Sequence, residues 1–222
     1  GWSFAKSTGV VTISADAVVQ GVSTNGEYRL LVPADSGAAS VTFKDLTLET
    51  RAKSDSAVAF AREVALALDG TNTVSAAGQQ SAGIAVASNA TLRITGDSGI
   101  LSATGGKYAA GIGSTGGFPS PGKIVIEGGV IVATGGDKAA GIGGGAMSNL
   151  QEDGIVISGG IVTAAGGAYA AGLGSGYVGS GSGDKTLPDG AVKISGGTVL
   201  ATKGASASSD LVSSGNTVPL TG

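Results

Sequence analysis

The chain has 222 residues, of which 41% are hydrophobic and 13% are charged, and its formal net charge is -3. This composition is the opposite of a disordered one, and the acidic balance argues against a general surface for nucleic acids. The absence of Cys and His excludes disulfides and removes the commonest general base and metal ligand. The sequence contains no apolar run of the length that a membrane span needs, so no membrane insertion is expected.

The first 40 residues are predicted to form an N-terminal cap and the first coil of the fold. Two runs typical of strands, 10–13 and 28–32, are separated by the turn signal Asn25-Gly26. Trp2 and Phe4 precede these runs, and we expect them to cover the open end of the core. Because the chain begins Gly1-Trp2 without a signal-like segment, we interpret it as a mature or excised fragment of a longer protein.

Residues 41–205 repeat one unit, which is clearest at 123–144, KIVIEGGVIVATGGDKAAGIGG. Each unit has three short segments with apolar residues at every second position, and Gly residues end each segment. The segment 54–68 is rich in Ala, but its alternation favours strand over helix. The pattern predicts an all-β chain with about three short strands per coil, whose coils stack about 4.8 Å apart in a parallel β-helix.

Three inward columns follow from the alignment of the units. The first column is predicted to hold Leu46, Leu66, Leu92, Ile124, Ile155 and Val192, with a companion column two residues further on. The second is predicted to hold Val74, Leu101, Ile131, Val162 and Val199, beside the alanines Ala76, Ala103, Ala133, Ala164 and Ala201. The third is predicted to hold Ile84, Ile112, Ile142 and Leu173.

Three loops, 114–122, 144–154 and 175–190, follow the third strand of successive units and are expected to leave the same edge. Loops on a rigid scaffold often carry recognition, so their large apolar residues are candidates for a binding patch. These residues are Phe118, Met147, Leu150, Tyr177 and Leu187. The alternative is that the loops fold down and cover the edge of one sheet. Residues 206–222 lose the repeat and are predicted to be a C-terminal end or a passage into a further module.

The repeat units resemble the glycine-rich β-helix repeats of large bacterial secreted and cell-wall-anchored proteins, which are often labelled carbohydrate-binding domains. The resemblance rests on GGVIVATGGDKAAGIGGG and GGIVTAAGGAYAAGLGSG and covers roughly residues 41–203. It implies a right-handed parallel β-helix, an extracellular location and a role in display or adhesion. It brings no catalytic motif with it.

Two further groups of residues are candidates for a site. Tyr108, Lys138 and Tyr169 precede the third strand of successive units, and flat rings beside a cation can bind a sugar or a protein. No cofactor is expected apart from Ca²⁺, for which the candidate carboxylates are Glu49 and Asp69 in the coils and Glu152, Asp153, Asp184 and Asp189 in the loops. The competing interpretation is that both groups are solvated turn residues.

Three functions are therefore compatible with the sequence. The first is a non-catalytic adhesion or binding module of a bacterial cell surface, which contacts a glycan or a host or cell-surface protein. The second is a purely structural stalk. The third is a polysaccharide lyase or glycoside hydrolase on a β-helix, although no nucleophile and base pair is evident and the chain is not expected to be an enzyme.

Overall fold

The computed structural model describes residues 1–51, 54–117, 120–177 and 187–207. Within these residues the secondary structure consists of twenty strands and no helix. The strands are β1 (Trp2–Ala5), β2 (Val10–Ile13), β3 (Ala17–Gly26), β4 (Arg29–Val32), β5 (Ser40–Thr50), β6 (Val58–Phe60), β7 (Val64–Asp69), β8 (Thr71–Ala76), β9 (Ile84–Val86), β10 (Thr91–Thr95), β11 (Ile100–Thr104), β12 (Ile112–Gly113), β13 (Lys123–Ile126), β14 (Val130–Thr134), β15 (Ile142–Gly143), β16 (Ile155–Ile157), β17 (Ile161–Ala165), β18 (Leu173–Gly174), β19 (Val192–Ile194) and β20 (Thr198–Thr202). None of the described residues belongs to a helix that is long and apolar enough to cross a membrane.

The coils stack as a parallel β-solenoid, which confirms the predicted fold class. One eight-stranded sheet runs in the order β1-β2-β4-β6-β9-β12-β15-β18, and every pair in it is parallel except β1 with β2. We call it the third face, because it holds the third strand of each repeat. Within the segment 54–68, residues 58–60 form β6, residues 64–68 belong to β7 and no residue is helical. The prediction that this segment favours strand over helix is therefore confirmed.

The remaining strands form a second sheet that bends around β5. Strands β7, β10, β13, β16 and β19 form the first face, and β8, β11, β14, β17 and β20 form the second face. In the upper coils, Gly residues with positive φ, such as Gly129 at 82° and Gly160 at 81°, separate the strands of these two faces. In β5 one strand passes through the corner, with Asp45 at a φ of 47°, and pairs with β7 and then with β8.

This bend corrects the predicted register of the lower coils. Val41 and Leu66 are partners on the first face, whereas Leu48 pairs with Val74 on the second face, so Leu46 does not belong to the first column. Leu66 pairs with Ile94 and not with Leu92. The alignment of the repeat units did not reveal this shift in register, because β5 lacks the Gly turn that marks the corner in later repeats.

The register of the upper coils agrees with the prediction. Ile124 pairs with Leu92 and Ile155 on the first face, and Ile142 pairs with Ile112 and Leu173 on the third. The alanine column is correct from Ala103 to Ala201, but Val74 pairs with Ala103 and the polar Asn72 pairs with Leu101. The inward side chains form one continuous hydrophobic core. Apart from Ser206 and Ala207, the predicted C-terminal segment 206–222 lies outside the described residues.

The N-terminal aromatic residues do not cover the core as expected. Trp2 is 69% exposed and Phe4 is 42% exposed, and both lie on β1, which pairs antiparallel with β2. The Phe4 ring instead contacts the ring of Tyr28 at a centroid distance of 5.6 Å. The N-terminal edge of the third face is thus covered by a reversed strand, and its aromatic side chains lie on the surface.

Candidate functional site: a tyrosine–lysine patch

The turns that precede the third strands stack directly on one another in successive coils, because Gly residues allow close backbone contact between the coils. A Cβ atom added at Gly136 would lie 1.8 Å from the carbonyl oxygen of Gly106, and one added at Gly167 would lie 1.7 Å from that of Gly136. These distances are far shorter than a real Cβ contact, so only Gly permits this stacking. The side chains that follow these glycines are therefore held in register.

Backbone hydrogen bonds place Tyr108, Lys138 and Tyr169 in one column. The Lys138 N–H donates to the Lys107 carbonyl at 3.1 Å, and the Tyr169 N–H donates to the Asp137 carbonyl at 3.0 Å. In the parallel register of this solenoid, these bonds align residue 138 with 108 and residue 169 with 138. The predicted column is confirmed as a geometric feature.

The third loop adds a third ring to this column. The Tyr177 N–H donates to the Lys138 carbonyl at 2.9 Å, and the Tyr177 ring lies 5.4 Å from the Tyr169 ring, at an interplanar angle of 60°. The Lys138 ammonium lies 4.9 Å from the centroid of the Tyr177 ring and 5.8 Å from that of the Tyr108 ring. These distances are within the range of cation–π interactions.

Lys107 completes the arrangement, because its ammonium lies 5.4 Å from the centroid of the Tyr108 ring. We call Lys107, Tyr108, Lys138, Tyr169 and Tyr177 the tyrosine–lysine patch. Lys107 and Tyr169 are exposed, and Tyr108, Lys138 and Tyr177 are half-buried. The patch joins residues of two surfaces that the sequence treated as separate candidates, the tyrosine column and the loop edge.

The loops leave one edge, as predicted, and their first residues stack on one another. The Gly117 N–H donates to the Ala146 carbonyl at 3.2 Å, and the Met147 N–H donates to the Tyr177 carbonyl at 2.8 Å. The Ser114 and Ser148 hydroxyl groups, both on buried residues, lie 2.9 Å apart. The start of each loop is therefore a continuation of the solenoid backbone.

Among the described loop residues, Leu150 and Leu187 do not belong to the exposed patch that the sequence suggested. Leu150 is 3% exposed and Leu187 is 7% exposed, and both belong to the hydrophobic core. Met147 is half-buried and has a φ of 66°. Phe118 lies outside the described residues. The alternative interpretation is correct for Leu150 and Leu187, because they fold down and cover the edge of the core.

The candidate Ca²⁺ carboxylates in the coils do not stack. Asp69 lies beside Lys44, with which it forms an ion pair at 2.9 Å, and Glu49 lies beside Ser75 on the second face. The hydrogen bond to the Asp69 carboxylate raises the pKa of Lys44. The predicted pair of carboxylates is therefore wrong, for the same reason as the lower register.

One of the candidate loop carboxylates is already paired with a cation. Asp153 forms an ion pair with Lys193, and the hydrogen bond from this ammonium lowers the pKa of Asp153. Glu152 and Asp189 are exposed, and Asp184 lies outside the described residues. Among the residues that the structure describes, Asp, Glu, His and Cys form no group of three or more that could hold a metal ion.

A shallow groove of about 320 Å³ lies on the outer side of the third face. Its lining consists of small or apolar residues with some hydroxyl groups, and contains no ionisable side chain among the residues that are described. The outward positions of β11, β14 and β17 are also uncharged, since these strands present only Ile, Val, Ala, Ser and Thr there. The tyrosine–lysine patch therefore differs from both surfaces, because it combines aromatic rings with cations.

The sequence reasoning missed Lys107 and the position of Tyr177. Lys107 had a signal, because it directly precedes Tyr108, and Tyr177 directly follows GLGSG, at the position that Ala146 occupies after GIGGG in the preceding unit. Comparison with family models, with curated proteins and with solved structures gave no match.

Proposed function

We propose that the chain is a non-catalytic binding module of a bacterial cell surface, and that the tyrosine–lysine patch contacts a glycan or a host or cell-surface protein. The observation that carries the proposal is the meeting of Tyr177 with the Tyr108, Lys138 and Tyr169 column. Tyrosine is enriched among the residues that dominate binding energy, and the two lysines add positive charge beside the three rings. The bacterial and extracellular setting is supported by the resemblance of the repeats.

The patch is supported by a rigid backbone. The N–H groups of Tyr108, Lys138, Tyr169 and Tyr177 donate to neighbouring coils at 2.7 to 3.1 Å, and the close contacts at Gly136 and Gly167 leave no room for a side chain there. A site held in this way loses little conformational entropy when a ligand binds. Tyr169, which is 43% exposed, offers the most accessible ring of the patch.

A structural spacer is the second candidate. The burial of Leu150 and Leu187 favours it, because these two residues pack into the core, whereas a recognition loop would present its apolar residues to solvent. The two candidates differ in one measurable property: a spacer has no saturable ligand.

The test is a glycan array and a panel of cell-surface proteins, probed with the chain and with a Tyr169→Ala, Tyr177→Ala double variant. A Tyr28→Ala variant is the matched control, because Tyr28 is a 37% exposed tyrosine beside Phe4 and outside the patch. We expect a ligand that the control retains and that the double variant binds at least tenfold more weakly, with unchanged melting temperature. Equal binding by all three proteins, or no saturable binding, would reject the patch as the site.

A further inference from the structure

We infer that the ligand of the tyrosine–lysine patch is an acidic polysaccharide that lies along the solenoid axis. This inference rests on the proposed function and adds the chemical class and the direction of the ligand. It follows from the charges of the patch, from the spacing of its rings and from the hydrogen bonds that its backbone N–H groups already make.

The two lysines of the patch form no ion pair with a carboxylate among the described residues. The ion pairs found there are Arg29 with Asp55, Lys44 with Asp69, Arg93 with Glu127 and Lys193 with Asp153. The Lys107 and Lys138 ammonium groups lie against tyrosine rings, which leaves N–H donors for another partner. Asp137 directly precedes Lys138, and the register that aligns Lys138 with Tyr108 aligns Asp137 with Lys107. The described turn residues 107–108, 137–138 and 169 therefore carry two positive charges and one negative charge.

The ammonium of Lys138 is held between two rings, 4.9 Å from Tyr177 and 5.8 Å from Tyr108. Such a cation is already oriented and partly removed from water, so a carboxylate that reaches it gains more than at a free surface lysine. The chemistry of the patch therefore favours an anionic ligand.

The spacing of the patch matches a polymer. Tyr108, Lys138 and Tyr169 lie on successive coils, so that ring, cation and ring follow one another at steps of about 4.8 Å. An extended polysaccharide advances by a similar step per sugar, and the C–H face of a pyranose packs on an aromatic ring. A chain along the axis would place one sugar near each ring and an acidic group near Lys138.

An acidic polypeptide is the competing ligand, and the backbone of the patch argues against it. Extended peptides bind by adding hydrogen bonds to free backbone groups at a sheet edge. Here the N–H groups of Lys138, Tyr169 and Tyr177 already donate to neighbouring coils. These three N–H groups are therefore not free to pair with an added peptide strand, which favours a saccharide.

The test measures binding of fragments of hyaluronan, polygalacturonate and alginate by isothermal titration calorimetry. Each polymer is compared with the same fragments after reduction of their carboxyl groups to alcohols. The proteins are the chain, Lys107→Gln, Lys138→Gln and the control Lys6→Gln, which removes an exposed charge in the turn after β1. Poly-glutamate is included as the acidic polypeptide.

We expect at least one acidic polymer to bind tenfold or more tightly than its reduced form, with affinity that falls as salt rises. Lys138→Gln should lose this preference at least tenfold, whereas Lys6→Gln should keep it. The acidic polymers and their reduced forms could instead bind with equal affinity, and this binding could be lost in the Tyr169→Ala, Tyr177→Ala variant. That result would overturn the assignment of an acidic ligand and leave the proposed function standing. Binding of poly-glutamate with the same lysine dependence would overturn the saccharide class. No binding to any of these polymers would overturn this inference, and the glycan and protein panels would then decide the proposed function separately.

Discussion

Asn72→Leu is predicted to destabilise the protein although the repeat favours an aliphatic residue at this position. Asn72 is fully buried on β8 and pairs with Leu101, and the next coils carry Ile131 and Val162 in the same column. A consensus argument from the sequence would therefore expect Asn72→Leu to stabilise the core.

The hydrogen bonds of the Asn72 side chain reverse this expectation. Its Oδ1 atom accepts from the Leu46 N–H at 3.0 Å, and its Nδ2 atom donates to the carbonyls of Asp69 at 3.1 Å and Ile100 at 3.2 Å. Leaving the buried Leu46 N–H without this acceptor costs about 1–3 kcal/mol, and each of the two donated bonds contributes about 0.5–1.5 kcal/mol. Burial of the leucine side chain recovers about 1.5 kcal/mol. The net destabilisation is therefore about 2 kcal/mol.

Thermal unfolding followed by circular dichroism checks this value. For a domain of this size, a loss of about 2 kcal/mol lowers the melting temperature by about 4–8 °C. Ile131→Leu is the control, because it preserves side-chain volume in the same column and should cost less than about 1.5 kcal/mol. A melting temperature of Asn72→Leu at or above that of the unaltered chain would show that these hydrogen bonds do not hold the corner.

Three further predictions test the register, the coil contacts and the ion pairs. Ile126→Asp buries an unpaired charge and should prevent folding. Glu127→Ser removes an exposed ion pair and should change the free energy of unfolding by less than about 1 kcal/mol, as measured by thermal unfolding. Similar melting temperatures for the two variants would show that the register is wrong by one residue. Gly143→Ala should lower the melting temperature far more than Gly21→Ala. The two glycines have similar φ values, 128° and 122°, but only a Cβ atom at position 143 would lie against a backbone oxygen, at 2.1 Å. Asp153→Asn should lower the urea midpoint of unfolding at pH 7, because the lowered pKa of Asp153 stabilises the fold only while the carboxylate is charged. The difference in midpoint between the two proteins should vanish as the pH falls through and below the ordinary pKa of 3.8. A difference that persists in acid would show that the carboxylate charge is not its cause.

The strands and corners of the upper half of the solenoid could be predicted because each of them has a recognisable sequence pattern. Gly pairs mark the corners, and alternation of Ile and Val with small residues marks the inward side, so the partners of Ile126 follow from spacing alone. The tyrosine column followed for the same reason, since Tyr108, Lys138 and Tyr169 keep a constant distance from the glycines of their turn.

The lower register and the assembled patch depended on contacts between residues that are distant in sequence. The strand β5 passes a corner without a Gly turn, and the amide of Asn72, 26 residues from Leu46, bonds to this corner. Leu150 and Leu187 are apolar loop residues whose exposure cannot be read from their own segments, because it depends on whether the loop folds back on the core.

The sequence by itself determined the periodic part of this protein: an all-β solenoid with three strands per coil, its inward columns above Leu92 and the edge from which the loops leave. Periodicity is a local property, and each Gly or alternating segment reports it independently. Only the tertiary structure decided that Asp69 lies beside Lys44, that Leu187 is in the core and that Tyr177 joins Lys138. These relations arise where the repeat is broken, and there side-chain packing and hydrogen bonds between coils select one arrangement from several that the sequence pattern allows.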